Sequence, residues 1–428
     1  MAERRRLLQA AAATAALASL AALRPRDRGR PHPPYFVTLQ QGLREAGIAW
    51  PVLLVDQDRL QRNLARIGRS TARRGLPLRV VVKSLPALAL IDSCCAAWQT
   101  DRAMVFNAVQ LLQVGRARPR LRLLLGKPLP AAAARRAMEA LASAGEPEPG
   151  RRIEWLVDTP ERLQQYRELA RALGVPLALN IEIDVGLHRG GAETPAQLAA
   201  MLQALQAEPL LRWAGLMGYD AHVTALPDLP GVRDAAQRAT QRRWQALWQE
   251  ARQLAPAAAH DRLTLNTGGS RTFHLHGRDG LPNEVAVGSA ALKPSDFDTP
   301  TLADLEAAAF IAAPVLKDLG RFRLPEGAGW LSTVARAWDP NRSRGYAIHG
   351  GRWLADPVSP AGMEASRLFG PSSNQQVMAG SSRLGLQADD FVFWRPRQSE
   401  AVLLQFGELV FVSQGRVVGT QAMLPASA

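Results

Sequence analysis

Lysine is nearly absent. Of 52 basic residues in this 428-residue chain only Lys83, Lys127, Lys293 and Lys317 are lysines, and the rest are arginines. A guanidinium stays protonated in proteins, so side-chain amine chemistry is confined to those four positions. Cysteine is scarcer still. Cys94 and Cys95 are neighbours, a placement that rarely meets disulfide geometry, and the two read as reduced, packed thiols in an amphipathic helix. With no CxxC pair there is neither a disulfide framework nor a thiolate metal or redox motif. Aromatic residues make up 6 % of the chain, and no basic stripe is interleaved with them. The net charge of +14 therefore does not point to nucleic acid; seven arginines against Glu3 and Asp27 in the first 36 residues supply +5 of it. No internal repeat and no low-complexity tract stand out.

What is present begins with an address. Residues 1–30 open with "MAERRRLLQ", continue through about 17 alanine- and leucine-rich residues, and offer small-x-small cleavage sites such as Ala16-Leu17-Ala18. This reads as a signal peptide of the twin-arginine type, which places the protein in the periplasm; a cytoplasmic protein with a mis-assigned start is the alternative. The stretch is short and alanine-rich for a bilayer, so no stable membrane anchor is expected.

From residue 77 onward short apolar runs alternate with helix-like stretches. The runs "LRVVVK" (78–83), "AMVFN" (103–107), "LRLLLG" (121–126), "IEWLVD" (153–158), "LALNIEID" (177–184), "WAGLMGYD" (213–220), "LTLNTG" (263–268) and "EVAVGS" (284–289) are eight candidate strands. Between them lie helices such as "TPERLQQYRELARALG", with Thr159 as N-cap and Gly174 as stop. The pattern predicts a (β/α)8 barrel over residues 50–305. Beyond it, residues 306–428 read as a mostly β domain of short strands, "AVLLQ" among them, with "PVLLVD" (51–56) as a further strand.

A barrel of this kind works at the C-terminal ends of its strands. Those ends carry Lys83 after the first, Asp184 to Arg189 after the fifth, and Tyr219 to His222 after the sixth. Gly268, Gly269 and Ser270 follow the seventh, and Gly288 and Ser289 the eighth. The last two ends can present backbone N–H groups and hydroxyls to a phosphate. A lysine amine facing a phosphate cradle points to pyridoxal 5'-phosphate, whose aldehyde condenses with an amine and whose ring withdraws electrons.

The segments "PVLLVDQDRLQRNL", "LRVVVKSLP", "IEIDVGLHRGG", "GLMGYDAHV", "LNTGGSRT" and "NEVAVGS" resemble the fold-type III pyridoxal-phosphate enzymes. The chain is most similar to the D-threonine aldolase and D-serine dehydratase group and more distantly to alanine racemase. The resemblance implies an alanine-racemase-type barrel and a lyase acting on a D-amino acid. Lys83 would be the Schiff-base lysine, Arg189 would reach the cofactor's phenolic oxygen, and Tyr219 would line the ring. Gly268, Gly269, Ser270, Gly288 and Ser289 would hold the phosphate. Racemase-like relatives form dimers with shared active sites, so a homodimer is an expectation as well.

The resemblance breaks at one place. The aldolase and dehydratase members bind a divalent metal through a histidine and, two positions on, a cysteine or aspartate; Gln398 and Glu400 stand there instead. The family's Arg-Pro-His-x-Lys-Thr-His has become "RVVVKSL", and a Glu-His pair has become "SSNQQ" (372–376). No metal ligand is therefore assigned. A side chain would have to activate the substrate's β-hydroxyl, and His349, Glu400, His222 and Lys83 are the candidates, with His349 expected beside Lys83 and Tyr219 as catalytic. Two other readings stay open, a metal-independent amino-acid racemase and a non-catalytic protein that binds the cofactor.

Overall fold

A computed structural model describes residues 23–143, 152–256 and 260–426. Most of the expected export segment lies outside them. Among the described residues no helix is long and apolar enough to cross a membrane. The chain divides into two compact units.

The larger unit holds residues 55–309, 397–411 and 419–428. After a strand β1 (Val52–Asp56), eight parallel strands close a barrel in sequence order: β2 (Leu78–Val81), β3 (Arg102–Val105), β4 (Arg122–Leu125), β5 (Ile153–Val157), β6 (Leu177–Ile183), β7 (Leu211–Gly218), β8 (Thr264–Thr267) and β9 (Glu284–Val287). The ring shuts where β9 meets β2, with Leu78 opposite Val285 and Val80 opposite Val287. All eight expected strands are found, each near its predicted position. Valine and leucine dominate because a parallel strand is covered on both faces.

Helices between the strands follow their local signals. Thr159 Oγ1 accepts from the Arg162 N–H, Pro160 opens the helix Pro160–Leu173, and Gly174 ends it in the left-handed conformation. Thr194 and Gln197 form a reciprocal capping box on the helix Pro195–Gln206. Cys94 is buried and Cys95 half-buried in the helix Leu88–Trp98; both are free thiols.

The barrel interior is not purely apolar. Arg79 donates from Nε and Nη2 to the two carboxylate oxygens of Glu284 at 2.6 and 3.1 Å, and both side chains are buried. Arg102 and Asn266 also donate to Glu284, at 2.7 and 2.8 Å. Beside them Glu154 accepts from Asn180 and Thr264 at 2.7 and 3.0 Å. A buried charge is tolerated only when its partners are complete, as here.

The smaller unit comprises the described residues through Leu54, Phe310–Pro396 and Val412–Val418. Its antiparallel framework is β10 (Ala309–Arg321), β11 (Arg344–His349), β12 (Ala355–Ser359), β13 (Glu364–Ala365), β14 (Gln375–Gly380) and β15 (Phe391–Pro396). β16 (Glu408–Ser413) and β17 (Arg416–Ala422) extend the same sheet, and β1 lies between β10 and β16. The expected β domain of residues 306–428 is thus not one contiguous body: residues 397–411 and 419–428 group with the barrel. "AVLLQ", expected as strand, lies in and just after the short helix Ser399–Leu403. Its apolar run is too short for periodicity to separate strand from helix.

Candidate active site

A cavity of about 480 Å³ opens at the C-terminal mouth of the barrel. Its walls include Lys83, Ser84, Phe106, Arg189, Tyr219, Gly268, Gly269, Ser270, Ser289 and Glu400. Lys83 stands in the tight turn Val82–Ser84 that ends β2. The other three lysines lie elsewhere: Lys127 and Lys317 are exposed and Lys293 is buried, with its ammonium 3.2 Å from Asp298. The Lys83 Nζ lies 4.7 Å from the centre of the Phe106 ring and 3.6 Å from Glu400 Oε1. Phe106 can lie there because residue 126 is glycine; a Cβ at that position would sit 2.5 Å from the ring.

The loop after β6 is closed by its own residues. Asp184 accepts from the N–H groups of Gly186 and His188 at 2.6 and 3.2 Å, and from His188 Nδ1 at 2.8 Å. Those bonds and the nearby His188 hold the Asp184 carboxyl below its ordinary value although burial pushes the other way. Gly190 and Gly191, both at positive φ, turn the chain back so that Ala192 donates to the Glu182 carbonyl at 2.8 Å. The guanidinium carbon of Arg189 then sits 4.8 Å from the centre of the Tyr219 ring. Arg189 pairs with this ring, and His188 rather than Arg189 is the partner of Asp184.

The opposite wall is the glycine-rich turn. The N–H groups of Gly288 and Ala290 both point at one oxygen, Ser270 Oγ, at 3.2 and 3.1 Å. Two converging amides have the geometry of a nest that can take an anion, and the hydroxyl stands where an anion's oxygen can sit. The glycines are required by contact: a Cβ on Gly288 would lie 2.8 Å from Val81 Cβ, and one on Gly269 would lie 3.0 Å from the Tyr219 ring. Gly268 is at φ +73°. The turn is pinned from below by Asp220, which accepts from Thr272 Oγ1 at 2.7 Å and faces His276 Nε2 at 2.6 Å.

The structure therefore gathers Lys83, Arg189, Tyr219, Gly268, Gly269, Ser270 and Ser289 around one cavity, with Gly288 supplying an amide just behind it. His349 is not with them. It lies in β11 of the sheet unit, opposite Gln375, and does not line the cavity. His222 is not a lining residue either; its Nε2 is 3.5 Å from Thr240 Oγ1. Sequence reasoning missed Phe106, Ser84, Asn266 and the Asp220–His276 pair.

It also missed Glu182, buried in β6 below Arg189. Burial pushes its carboxyl up to about 7, against the pull of Arg189 and with Asp158 and Asp184 adding to the rise. A carboxyl raised in the folded state adds stability that is full below its ordinary 4.5 and disappears as pH climbs through about 7. Glu182→Gln escapes that loss. The variant is expected to match wild type near pH 4 and to exceed it above pH 8 by on the order of 2–3 kcal/mol. Thermal melts of the ligand-free protein across that range check it; a constant difference would refute the assignment.

Residues 55–295 match the model of the alanine racemase N-terminal domain. The chain belongs to this family of fold-type III pyridoxal-phosphate enzymes. A 3-hydroxy-D-aspartate aldolase of Paracoccus denitrificans (strain Pd 1222) is 24 % identical over 277 residues, which covers 61 % of this chain and 65 % of that relative. The chain thus matches just under two thirds of the length of this curated family member. The solved D-threonine aldolase of Filomicrobium marinum superposes with a TM-score of 0.69 at 19 % identity, over 87 % of this chain and 96 % of that one. The D-threo-3-hydroxyaspartate dehydratase of Delftia sp. HT23 gives 0.68 at 17 % identity, over 88 % and 98 %. An alanine racemase of Bacillus anthracis gives 0.63 at 15 % identity, over 87 % and 97 %. At these identities the structural likeness establishes the fold, a closed parallel barrel with a separate mostly β sheet. Pyridoxal phosphate is the cofactor of the family.

Proposed function

We propose that the protein is a pyridoxal-phosphate-dependent lyase acting on a D-amino acid that carries a β-hydroxyl. The observation that carries the cofactor is the placement of one lysine out of four in a cavity whose far wall is an anion nest. The residues fit the group: glycines that let the turn pack closely against Val81 and the Tyr219 ring, two amides converging on one oxygen, and an arginine over a tyrosine ring. The names of relatives in both comparisons support the lyase reading and the β-hydroxyl.

When bound, pyridoxal phosphate supplies an aldehyde for the amine and a ring that draws electrons from Cα. Lys83 tethers it and carries a proton on Nζ. Phe106, against the amine, keeps water from that side. The N–H groups of Gly288 and Ala290 and the Ser270 hydroxyl, bonded to one another in the ligand-free protein, would hold the phosphate. Arg189 places a fixed positive charge beside the ring, and Tyr219 supports that guanidinium.

The donor set does not match a divalent metal site in the same way. Gln398 Nε2 donates to Asp296 Oδ2 at 3.1 Å, and Glu400 accepts from Ser84. One carboxylate with an amide is a poor substitute for imidazole plus thiolate.

The test is to purify the protein with pyridoxal phosphate, record its visible spectrum, and offer D-threonine, 3-hydroxy-D-aspartate and D- and L-alanine. A visible band and cleavage or dehydration of the hydroxylated D-isomers are expected. A protein that stays colourless and cannot be reconstituted would overturn the cofactor. Racemisation of alanine without lysis would establish the racemase instead.

A further inference from the structure

We infer that Glu400 is the catalytic acid–base for the substrate's β-oxygen, doing with a carboxylate what would otherwise need a metal. The inference rests on the lyase reading above and says how such a lyase would work here.

It comes from an inventory of the cavity wall. The titratable side chains that line it are Lys83, Arg189, Tyr219, Arg271 and Glu400. The arginines remain protonated. Burial raises the Tyr219 hydroxyl further above its ordinary value of 10. No histidine and no other carboxylate lines the cavity among the described residues. Glu400 is the one carboxylate among the described lining residues, and Lys83 is its neighbour, so these two side chains are the ones placed to exchange protons with a bound molecule.

Glu400 is also held for the task. It stands near the start of the short helix Ser399–Leu403, and its side chain is 34 % exposed, so it can reach a bound molecule. The Ser84 hydroxyl donates to Glu400 Oε1 at 2.8 Å, and the Ser289 hydroxyl donates to Ser84 Oγ at 2.9 Å. Ser84 and Ser289 follow the first and last barrel strands, β2 and β9, so the rigid seam of the barrel aims the carboxylate. The Lys83 ammonium is 3.6 Å away. Gln398, two residues earlier, is bound to Asp296 and brings no competing base.

The chemistry is a carbon–carbon cleavage. The β-hydroxyl gives its proton to the Glu400 carboxylate, and the electrons of that O–H bond form the new carbonyl. The Cα–Cβ bond breaks with its pair left at Cα. The Lys83 ammonium delivers a proton there. The proton on Glu400 then passes to the Lys83 amine, which returns both groups to the charge states in which the cleavage began. The sum is one 3-hydroxy amino acid converted to glycine and an aldehyde, with no oxidant and no metal consumed or required.

The experiment uses the cofactor-loaded protein and its Glu400→Gln and Glu400→Ala variants with D-threonine. Glu400→Gln is expected to keep the visible band and thermal midpoint while cleavage falls by at least about a hundredfold, the lower end for a positioned acid–base. A chelator should leave wild-type cleavage unchanged. Binding gives a readout apart from turnover: wild type should hold D-threonine at least about fivefold tighter than D-2-aminobutyrate, as one hydrogen bond warrants, and Glu400→Ala should bind the two alike. If both variants fail to load, Ser84→Ala must lower cleavage by at least about fivefold at an unchanged band; an unchanged rate overturns the inference. So do a Glu400→Gln protein that cleaves like wild type, wild-type activity that a chelator abolishes and manganese restores, or a loaded wild type that cleaves no 3-hydroxy amino acid. A wild type without the band overturns the cofactor reading itself.

Discussion

Lys83→Arg will have no visible band with pyridoxal phosphate and no measurable lysis, while its melting temperature stays within a few degrees of wild type. Arginine keeps the positive charge next to Glu400 and the stacking on Phe106, so the ion pair at 3.6 Å and the cation–ring contact at 4.7 Å have close replacements. The side chain is 43 % exposed, so the larger head has room. What is lost is a deprotonatable amine, and that loss is total because a guanidinium stays charged. The rate should fall at least about a hundredfold from the proton transfers alone. Restoring activity with a small external amine, while the band stays absent, would separate proton transfer from tethering. A visible band in Lys83→Arg would move the tether to another lysine, and Lys293, buried behind Asp298, would be the next to test.

Much of this site is written locally. A lysine directly after "LRVVV", Gly268-Gly269 after "LNT", Gly288-Ser289 after "EVAV", and "GLHRGG" after "IEIDV" all lie at strand ends, and a barrel brings its strand ends together. The helices were legible for the same reason: Thr159, Gly174 and Thr194 act on their own turns. The contacts that were not legible are the long ones. Ser84 meets Glu400 across 316 residues of sequence, and no periodicity links the two segments. Phe106 reads as one more strand residue, and only the missing Cβ of Gly126 shows that its ring turns toward the amine. Glu182 alternates with apolar neighbours as a polar residue facing outward would; closure of the barrel is what buries it. His349 was attractive as an imidazole beside glycines, yet its strand belongs to the other unit, and residue type alone could not reveal that.

Glu284→Gln should destabilise the barrel unit more than any other single change considered above. Glu284 and Arg79 are both fully enclosed, and the carboxylate is the shared acceptor for Arg79, Arg102 and Asn266. Removing one charge of such a pair leaves the other uncompensated in a medium that solvates it poorly, which costs about 3–5 kcal/mol. Burial works to raise the Glu284 carboxyl, but the charges of Arg79 and Arg102 and the hydrogen bonds from Arg79 and Asn266 outweigh it, and the value lies below the ordinary 4.5. A lowered carboxyl contributes stability that is present above 4.5 and lost as pH falls through its folded value. The gap between wild type and variant should therefore be widest at neutral pH and narrow steadily in acid. Denaturant midpoints from pH 3 to pH 8 measure it, and a gap that is independent of pH would mean that shape rather than charge makes the pair necessary. Its place also decides what the site inherits. β2 and β9 carry Arg79 and Glu284 near their starts and Lys83 and Ser289 just beyond their ends, so the ion pair fastens the seam on which the amine and the anion nest are mounted.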